Sequence, residues 1–301
     1  GERRMRIGYF GDGIWAHKAF EKFIRDDTIE LVFVTVRYDK RDKVLLELSE
    51  KHRIPVELSD NINSPEFIDR MKTYEADLFV SMSFNQIFKR EMIDLPKYGT
   101  INCHAGKLPF YRGRNILNWA LINDEKEFGI TVHYMDEGID TGDIIVQRTY
   151  PIGEEDDYGT LLAMAYDGCA EVLYQAVERI RNHEVKRIRQ ADIDPVGTYF
   201  GIRCPGDEVV DWKQSSREIF NFIRALCRPG PQAVSWIRGK KIQINRARMV
   251  EGAHVYKSTA GQVIGRTKEG FLIKTGDTML EVTEYSYEGK IRTGDRLGNH
   301  E

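Results

Sequence analysis

Cysteine is scarce: four residues, at 103, 169, 204 and 227, are spread through 301 positions. No two lie closer than 23 residues, so there is no Cys-x-x-Cys and no zinc-finger spacing, and reduced thiols in a cytoplasmic protein are expected. No pair of histidines has the His-x-x-x-His spacing of a metal site. Long apolar runs are missing as well. The uncharged stretch from Leu78 to Phe88 falls short of the ~20 residues a membrane span requires. Charge of one sign is also lacking: 44 Lys and Arg against 47 Asp and Glu leave −3, which speaks against DNA or another dedicated nucleic-acid partner and leaves a local basic patch open. Gly1 to Arg4 carry no apolar core, so they read as a short leader before a native start at Met5, not as a signal peptide. Gly8, Gly11 and Gly13 have the spacing G-x-x-G-x-G, which is neither the dinucleotide fingerprint nor a phosphate loop.

What is present is ordinary globular composition and a clear rhythm. Arg6–Phe10, Leu31–Val36, Ile54–Val56 and Asp77–Met82 read as strands, the longer ones apolar enough to be buried on both faces. Between them, Trp15, Ala19, Phe20 and Phe23 recur at helical spacing, as do Val44, Leu45 and Leu48. Ser64-Pro65-Glu66 has the form of a helix start. These repeats imply βαβ units, hence an α/β fold with a doubly wound, mostly parallel Rossmann-like sheet.

After Pro96 the pattern changes. Thr100–Cys103, Ile130–Met135 and Asp143–Thr149 are expected strands. Leu117–Ile122, Gly159–His183 and Ser215–Cys227 are expected helices. Ala191–Gly206, rich in Gly and Pro, reads as a linker. Five short strands between Ala233 and Tyr285 then suggest a small OB-like β-barrel. The expected division is a catalytic domain over residues 1–203 and a smaller one over 204–301.

The chemistry is densest from Thr100 to Arg114. Asn102 and His104 alternate at a strand end, so their side chains share a face. Asp140 follows on a Gly-flanked turn. An amide donor, an imidazole and a carboxylate would serve acyl transfer to an amine: the amide for an oxyanion, the imidazole for a proton, the carboxylate to orient the ring. Spacing alone does not bring Asp140 to His104. His133 reads as a strand residue lining the sheet.

These same residues carry a resemblance. Asn102-x-His104, Leu108-Pro109-x-Tyr111-Arg112-Gly113 and Asp136-x-Gly138-x-Asp140-Thr141-Gly142 resemble the signature of the 10-formyltetrahydrofolate-dependent formyltransferases. That family includes methionyl-tRNA formyltransferase, glycinamide ribonucleotide transformylase and the sugar N-formyltransferases. Val210-Asp211-Trp212, Phe220–Ala225, Arg228-Pro229-x-Pro231 and Ser235-Trp236 resemble the C-terminal part of the tRNA and sugar members. The resemblance implies that Asn102, His104 and Asp140 are catalytic. It implies that Met82, Phe84, Gln86 and Ile87, with Asp136 and Gly138 opposite, bind 10-formyltetrahydrofolate, and that no metal takes part.

Two departures bear on the acceptor. The basic, glycine-rich loop of the tRNA enzymes after the second strand is absent, and Val36–Val44 runs straight into a helix. His104-Ala105-Gly106-Lys107-Leu108-Pro109 replaces their His-x-Ser-Leu-Leu-Pro. The expected acceptor is therefore a nucleotide-linked amino sugar, a surface-polysaccharide precursor, with tRNA disfavoured. Lys107, Arg112 and Arg114 would face its diphosphate and Trp15 and Tyr111 its rings. For Arg112 a structural clamp is the competing role. The alternatives are methionyl-tRNA or a carrier-bound aminoacyl group, then hydrolysis of the donor. A homodimer through the second domain is a further expectation.

Overall fold

The computed structural model describes residues 3–298, so Gly1 and Glu2 of the expected leader, and His300, lie outside the described residues. The strands in chain order are β1 (Met5–Gly11), β2 (Ile29–Thr35), β3 (Val56–Glu57), β4 (Leu78–Met82), β5 (Thr100–His104), β6 (Arg112–Gly113), β7 (Glu127–Tyr134), β8 (Ile144–Pro151), β9 (Tyr199–Phe200), β10 (Ala233–Ile237), β11 (Lys240–Met249), β12 (Val263–Arg266), β13 (Phe271–Lys274) and β14 (Met279–Ser286). The helices are α1 (Gly13–Ile24), α2 (Lys43–Lys51), α3 (Pro65–Lys72), α4 (Arg90–Ile93), α5 (Ile116–Ile122), α6 (Tyr158–Arg181), α7 (Gln190–Ile193) and α8 (Ser216–Leu226).

The chain condenses into two units. The first takes residues 1–113, 128–150 and 163–200 and holds a seven-stranded sheet in the order β3-β2-β1-β4-β5-β7-β8. β1 to β5 run parallel, and β7 lies antiparallel to β5. β1 and β4 are buried along nearly their whole length, as their mostly apolar sequences require. Phe10, Phe33 and Phe79 meet edge-on at 5.3–5.7 Å. Gly8 makes this possible, because a Cβ there would sit 2.3 Å from the Phe33 ring. Ser64 caps α3 by accepting from the Phe67 N–H, with Pro65 at the first helical position.

The strand order reverses between β1 and β4, so their carboxyl ends flank the crevice where open α/β sheets receive ligands. The Asp12 N–H donates to the Met82 carbonyl across it, at 3.2 Å.

The segment from 191 to 206 is not the simple linker its composition suggests. α7 opens it, β9 pairs in parallel with β6, and Thr198 accepts from the Tyr111 N–H on its hydroxyl while its own main chain accepts from Arg112 and donates to the Pro109 carbonyl. Gly and Pro report that the chain turns; they say nothing about what the turns pack against.

The second unit comprises residues 114–127, 151–162 and 201–301. Its sheet is antiparallel, in the order β10-β11-β14-β13-β12. Single bridges from Gly298 to Trp236 and from Arg296 to Gln262 carry the chain's end from one edge strand toward the other, the beginning of barrel closure. α8 starts with a capping box of Ser215 and Glu218, and its Ile219 and Ile223 enter the core with Trp212, Ile244 and Phe271.

Candidate active site

β5 delivers two of the three expected catalytic side chains. Asn102 and His104 are both half-buried, two residues apart on one face. Among the described residues no protein group is hydrogen-bonded to the Asn102 amide, which leaves its N–H groups available. His104 is held from both sides. Its Nε2 lies 2.6 Å from the Tyr111 carbonyl, which can only accept, so Nε2 carries a proton. Its Nδ1 lies 3.7 Å from Asp140 Oδ2.

Asp140 reaches His104 because the turn after β7 folds back over the end of β5. Its own backbone is left-handed, with φ of 56°. Such a conformation persists in a non-glycine residue only when its surroundings hold it there. Oδ2 accepts from the Gly113 N–H at 3.0 Å. Oδ1 lies 3.6 Å from His133 Nε2. Burial alone would push this carboxyl up. The nearby His133, the charge on His104 and the Gly113 N–H together outweigh burial and hold it well below the usual carboxylate range. An ionised carboxylate therefore faces the imidazole over the whole working pH range.

The expected donor-binding segment closes the crevice at the end of β4. Met82 is buried and Phe84 packs edge-on against Phe10 at 5.5 Å. Ile87 is 76% exposed, a large apolar side chain facing outward. Gln86 is already engaged: its Oε1 accepts from the Ile62 N–H at 2.9 Å and its Nε2 donates to the Ser59 carbonyl at 2.8 Å. It shapes the segment by pinning the loop before α3. Opposite, Asp136 Oδ1 accepts from the Gly138 N–H at 2.9 Å and from the Thr141 hydroxyl at 2.6 Å. Gly138 has to lack a Cβ, which would lie 2.1 Å from Thr141 Oγ1.

The residues expected to meet the acceptor are scattered in role. Arg112 donates through Nε and Nη2 to Gln190 Oε1, at 3.2 and 2.8 Å, and through Nη1 to the Val196 carbonyl at 3.1 Å. Three of its five N–H donors thus clamp two loops together. Tyr111 stacks on Phe200 with centroids 5.1 Å apart, so one ring face is covered. Trp15 is half-buried and meets Tyr166 edge-on at 4.4 Å. Lys107 is exposed, with its stem against Gly129. Arg114 is exposed and falls in the second unit.

Three contributors had weak or no sequence signal. His133 stands opposite Asn102 in the β5–β7 register, outside the motifs quoted above. Gln190 sits in the apparent linker. Asp42 caps α2 through the Leu45 N–H and also takes the Gly13 N–H at 2.7 Å and His17 Nε2. Only pairing across the sheet reveals the first, and only the fold-back of residues 190–200 reveals the second. Among the described residues no group of His, Cys, Asp and Glu could hold a metal ion, and no helix is long and apolar enough to cross a membrane.

Comparison with known proteins gives this geometry a context. Residues 5–177 match the formyl transferase family and residues 205–295 its C-terminal domain. The methionyl-tRNA formyltransferase of Caldanaerobacter subterraneus is 32% identical over 97% of this chain and 95% of its own. That of Halalkalibacterium halodurans is 36% identical over 81% of this chain and 76% of its own. Among solved structures, the sugar 3N-formyltransferase WlaRD, determined with dTDP and 5-N-formyl-THF, covers 97% of this chain and 100% of its own with a TM-score of 0.69 at 21% identity. The N-formyltransferase of Helicobacter canadensis, with folinic acid and dTDP-3-aminofucose, covers 93% of this chain and all of its own with a TM-score of 0.68 at 22% identity. HypX of Aquifex aeolicus, with tetrahydrofolic acid, covers 95% of this chain and 45% of its own at a TM-score of 0.59 and 20% identity.

These findings correct the expected acceptor. The nucleotide-linked amino sugar, with tRNA disfavoured, is overturned by relatives at 30–36% identity across most of the chain that are methionyl-tRNA formyltransferases. The sugar enzymes, at 21–22%, share the fold alone. The physical reason is that a net charge of −3 is a sum over the whole chain. It does not exclude a local basic surface, and phosphate contacts are local. A shortened loop after β2 removes one surface and says nothing of the others. Arg112, expected to face a diphosphate, commits three of its five N–H donors to Gln190 and Val196.

Proposed function

This chain belongs to the formyl transferase family, and from that premise we propose that it moves the formyl group of 10-formyltetrahydrofolate to the α-amine of methionyl-tRNA. The observation that carries the chemistry is the convergence of Asn102, His104 and Asp140 at the carboxyl edge of the sheet, beside the β1–β4 crevice. The acceptor rests on the methionyl-tRNA formyltransferases that share most of this sequence. The donor reading is supported by the formylated and free folates held by proteins of the same fold.

The residues present suit a flat heterocycle with a polar tail. Met82, Phe84 and the exposed Ile87 supply apolar surface on one side of the crevice, and the Asp136–Gly138 turn supplies main-chain polar groups on the other. Catalysis then follows from the three side chains. The neutral amine attacks the formyl carbon; one C–N bond forms and the donor's C–N10 bond breaks. One proton leaves the amine and one arrives at N10. The Asn102 amide donates to the oxygen on which charge develops, a contribution of the kind worth roughly 100- to 1000-fold in rate. His104 relays the proton, and Asp140 stabilises the charge the ring then carries. We take residues 1–203 as the catalytic domain and the cytoplasm as its place of action, where free cysteines are at home.

The test is a transfer assay with purified protein, 10-formyltetrahydrofolate and charged methionyl-tRNA, read by mass. Formylmethionyl-tRNA is expected, at a rate that falls steeply with added salt. Formate released equally fast without any amine, or no product on methionyl-tRNA, would overturn the assignment.

A further inference from the structure

The strap from 190 to 200 contributes a residue to the reaction that no motif marks. Gln190 is 3% exposed, at the first position of α7. Its Nε2 donates to the Asp140 carbonyl at 2.8 Å and to the Gly142 carbonyl at 2.7 Å. Its Oε1 accepts both nearby N–H groups of Arg112. All four hydrogen-bonding positions of the amide are therefore filled, two on the turn that carries Asp140 and two on the loop before α5.

That loop is the same one that touches the catalytic pair. Three consecutive residues divide the work: Tyr111 takes His104 Nε2 on its carbonyl, Arg112 reaches Gln190, and Gly113 donates its N–H to Asp140 Oδ2. Gln190 closes this into a ring of contacts: His104, Tyr111, Arg112, Gln190, Asp140 and back to His104. Arg112 in turn is steadied by the Val196 carbonyl, and Gly197 permits the approach, since a Cβ there would lie 2.4 Å from the Pro109 carbonyl. The left-handed Asp140 has no side-chain cap of its own on that carbonyl; Gln190 supplies the donor that holds it.

We propose that Gln190 is a positioning residue for formyl transfer: through its hydrogen bonds to the Asp140 and Gly142 carbonyls and to Arg112 it sets the Asp140 carboxylate against His104. The inference rests on the proposed function for its kinetic consequence but not for its geometry. An amide is required, because the partners are acceptors on one side and a donor on the other. A carboxylate would satisfy Arg112 and lose both carbonyls. A hydrocarbon would lose everything.

The test uses Gln190→Glu and Gln190→Leu in the full-length protein, each alone and combined with Asp140→Asn. A misplacement of about 1 Å in such a site lowers rate by about 100-fold. Both single variants are expected to lower kcat to that degree with KM for the donor within about twofold, and to remain folded by circular dichroism. In the Asp140→Asn background the further loss is expected to be under about threefold, because the two changes act on one contact. Gln190→Glu retaining full kcat would show that only the Arg112 contact matters and overturns the proposal. So would losses that multiply independently in the double variant. A second readout needs no acceptor: the ring-nitrogen NMR resonances of His104 in the resting protein are expected to move in both Gln190 variants. Unchanged resonances overturn the proposal. A wild-type protein inactive on methionyl-tRNA sinks the acceptor assignment while the resonance test still stands.

Discussion

Asp140 presents its second carboxylate oxygen to His133, whose Nε2 lies 3.6 Å away, buried and without a hydrogen-bond partner among the described residues. The other ring nitrogen is committed to the Tyr134 carbonyl at 2.9 Å. So the carboxylate that orients His104 is flanked by a second imidazole in the neighbouring strand. This is a site in which one anion serves two rings, and its ionisation depends on both.

His133→Phe keeps the ring's volume and removes its charge and nitrogen. Asp140, held low partly by His133, should then take up a proton at higher pH. The pH at which Asp140 takes up its proton, followed by carboxyl NMR in the resting protein, is expected to rise by about one unit and to stay below the working range. A carboxyl titration unchanged from wild type would mean that His133 does not support the carboxylate.

Asn102→Ala is expected to lower kcat by about 100- to 1000-fold, the loss of one oxyanion donor. His104→Ala should do at least as much, since it removes the proton relay. Both side chains are only half-buried at a strand end, so melting temperatures should stay within a few degrees of wild type. A His104→Ala enzyme with ordinary turnover would sink the mechanism.

Gly106→Ala tests how tightly the resting site is built. The added methyl would lie 2.6 Å from the Tyr111 carbonyl and 2.7 Å from His104 Nε2, inside the hydrogen bond that joins them. A loss in kcat of about 100-fold is expected with little change in denaturant midpoint. Full activity would show that the His104–Tyr111 contact is dispensable.

Asp26 gives a stability prediction away from the site. Burial would raise its pKa, but hydrogen bonds from Thr28 and Tyr174 and the charge of Arg181 bring it down to about 2. Its share of stability is therefore present above the ordinary carboxylate value near ~4 and drains as pH falls through about 2. Asp26→Asn should cost on the order of 1 kcal/mol at pH 7, allowing for solvent screening, and less than half of that at pH 2. Urea unfolding at the two pH values measures it; an equal cost at both would show that the shift plays no part.

Much of this was legible in the residues. Short apolar runs marked β1, β2 and β4 within a residue or two, because that signal depends only on near neighbours. Ser64-Pro65-Glu66 announced the start of α3 by a local hydrogen bond. Asn102 and His104 were readable as a pair because strand geometry puts alternate side chains on one face. The acceptor was misjudged because a net charge and one short loop were made to stand for a surface.

Local sequence thus carried the fold class, the strand bearing two catalytic side chains and the family to which the chain belongs. It could not carry Asp140's approach to His104, His133's place behind it, or Gln190's hold on the turn. Asp140 and His104 are 36 positions apart and Gln190 and Asp140 50, while His133 reaches its place only through pairing with β5, so these contacts exist only once the antiparallel β7 and the strap after α6 have been laid against β5. Local propensity extends over a few residues, whereas the electrostatics of a buried carboxylate depend on whatever the fold packs within about 4–6 Å of it.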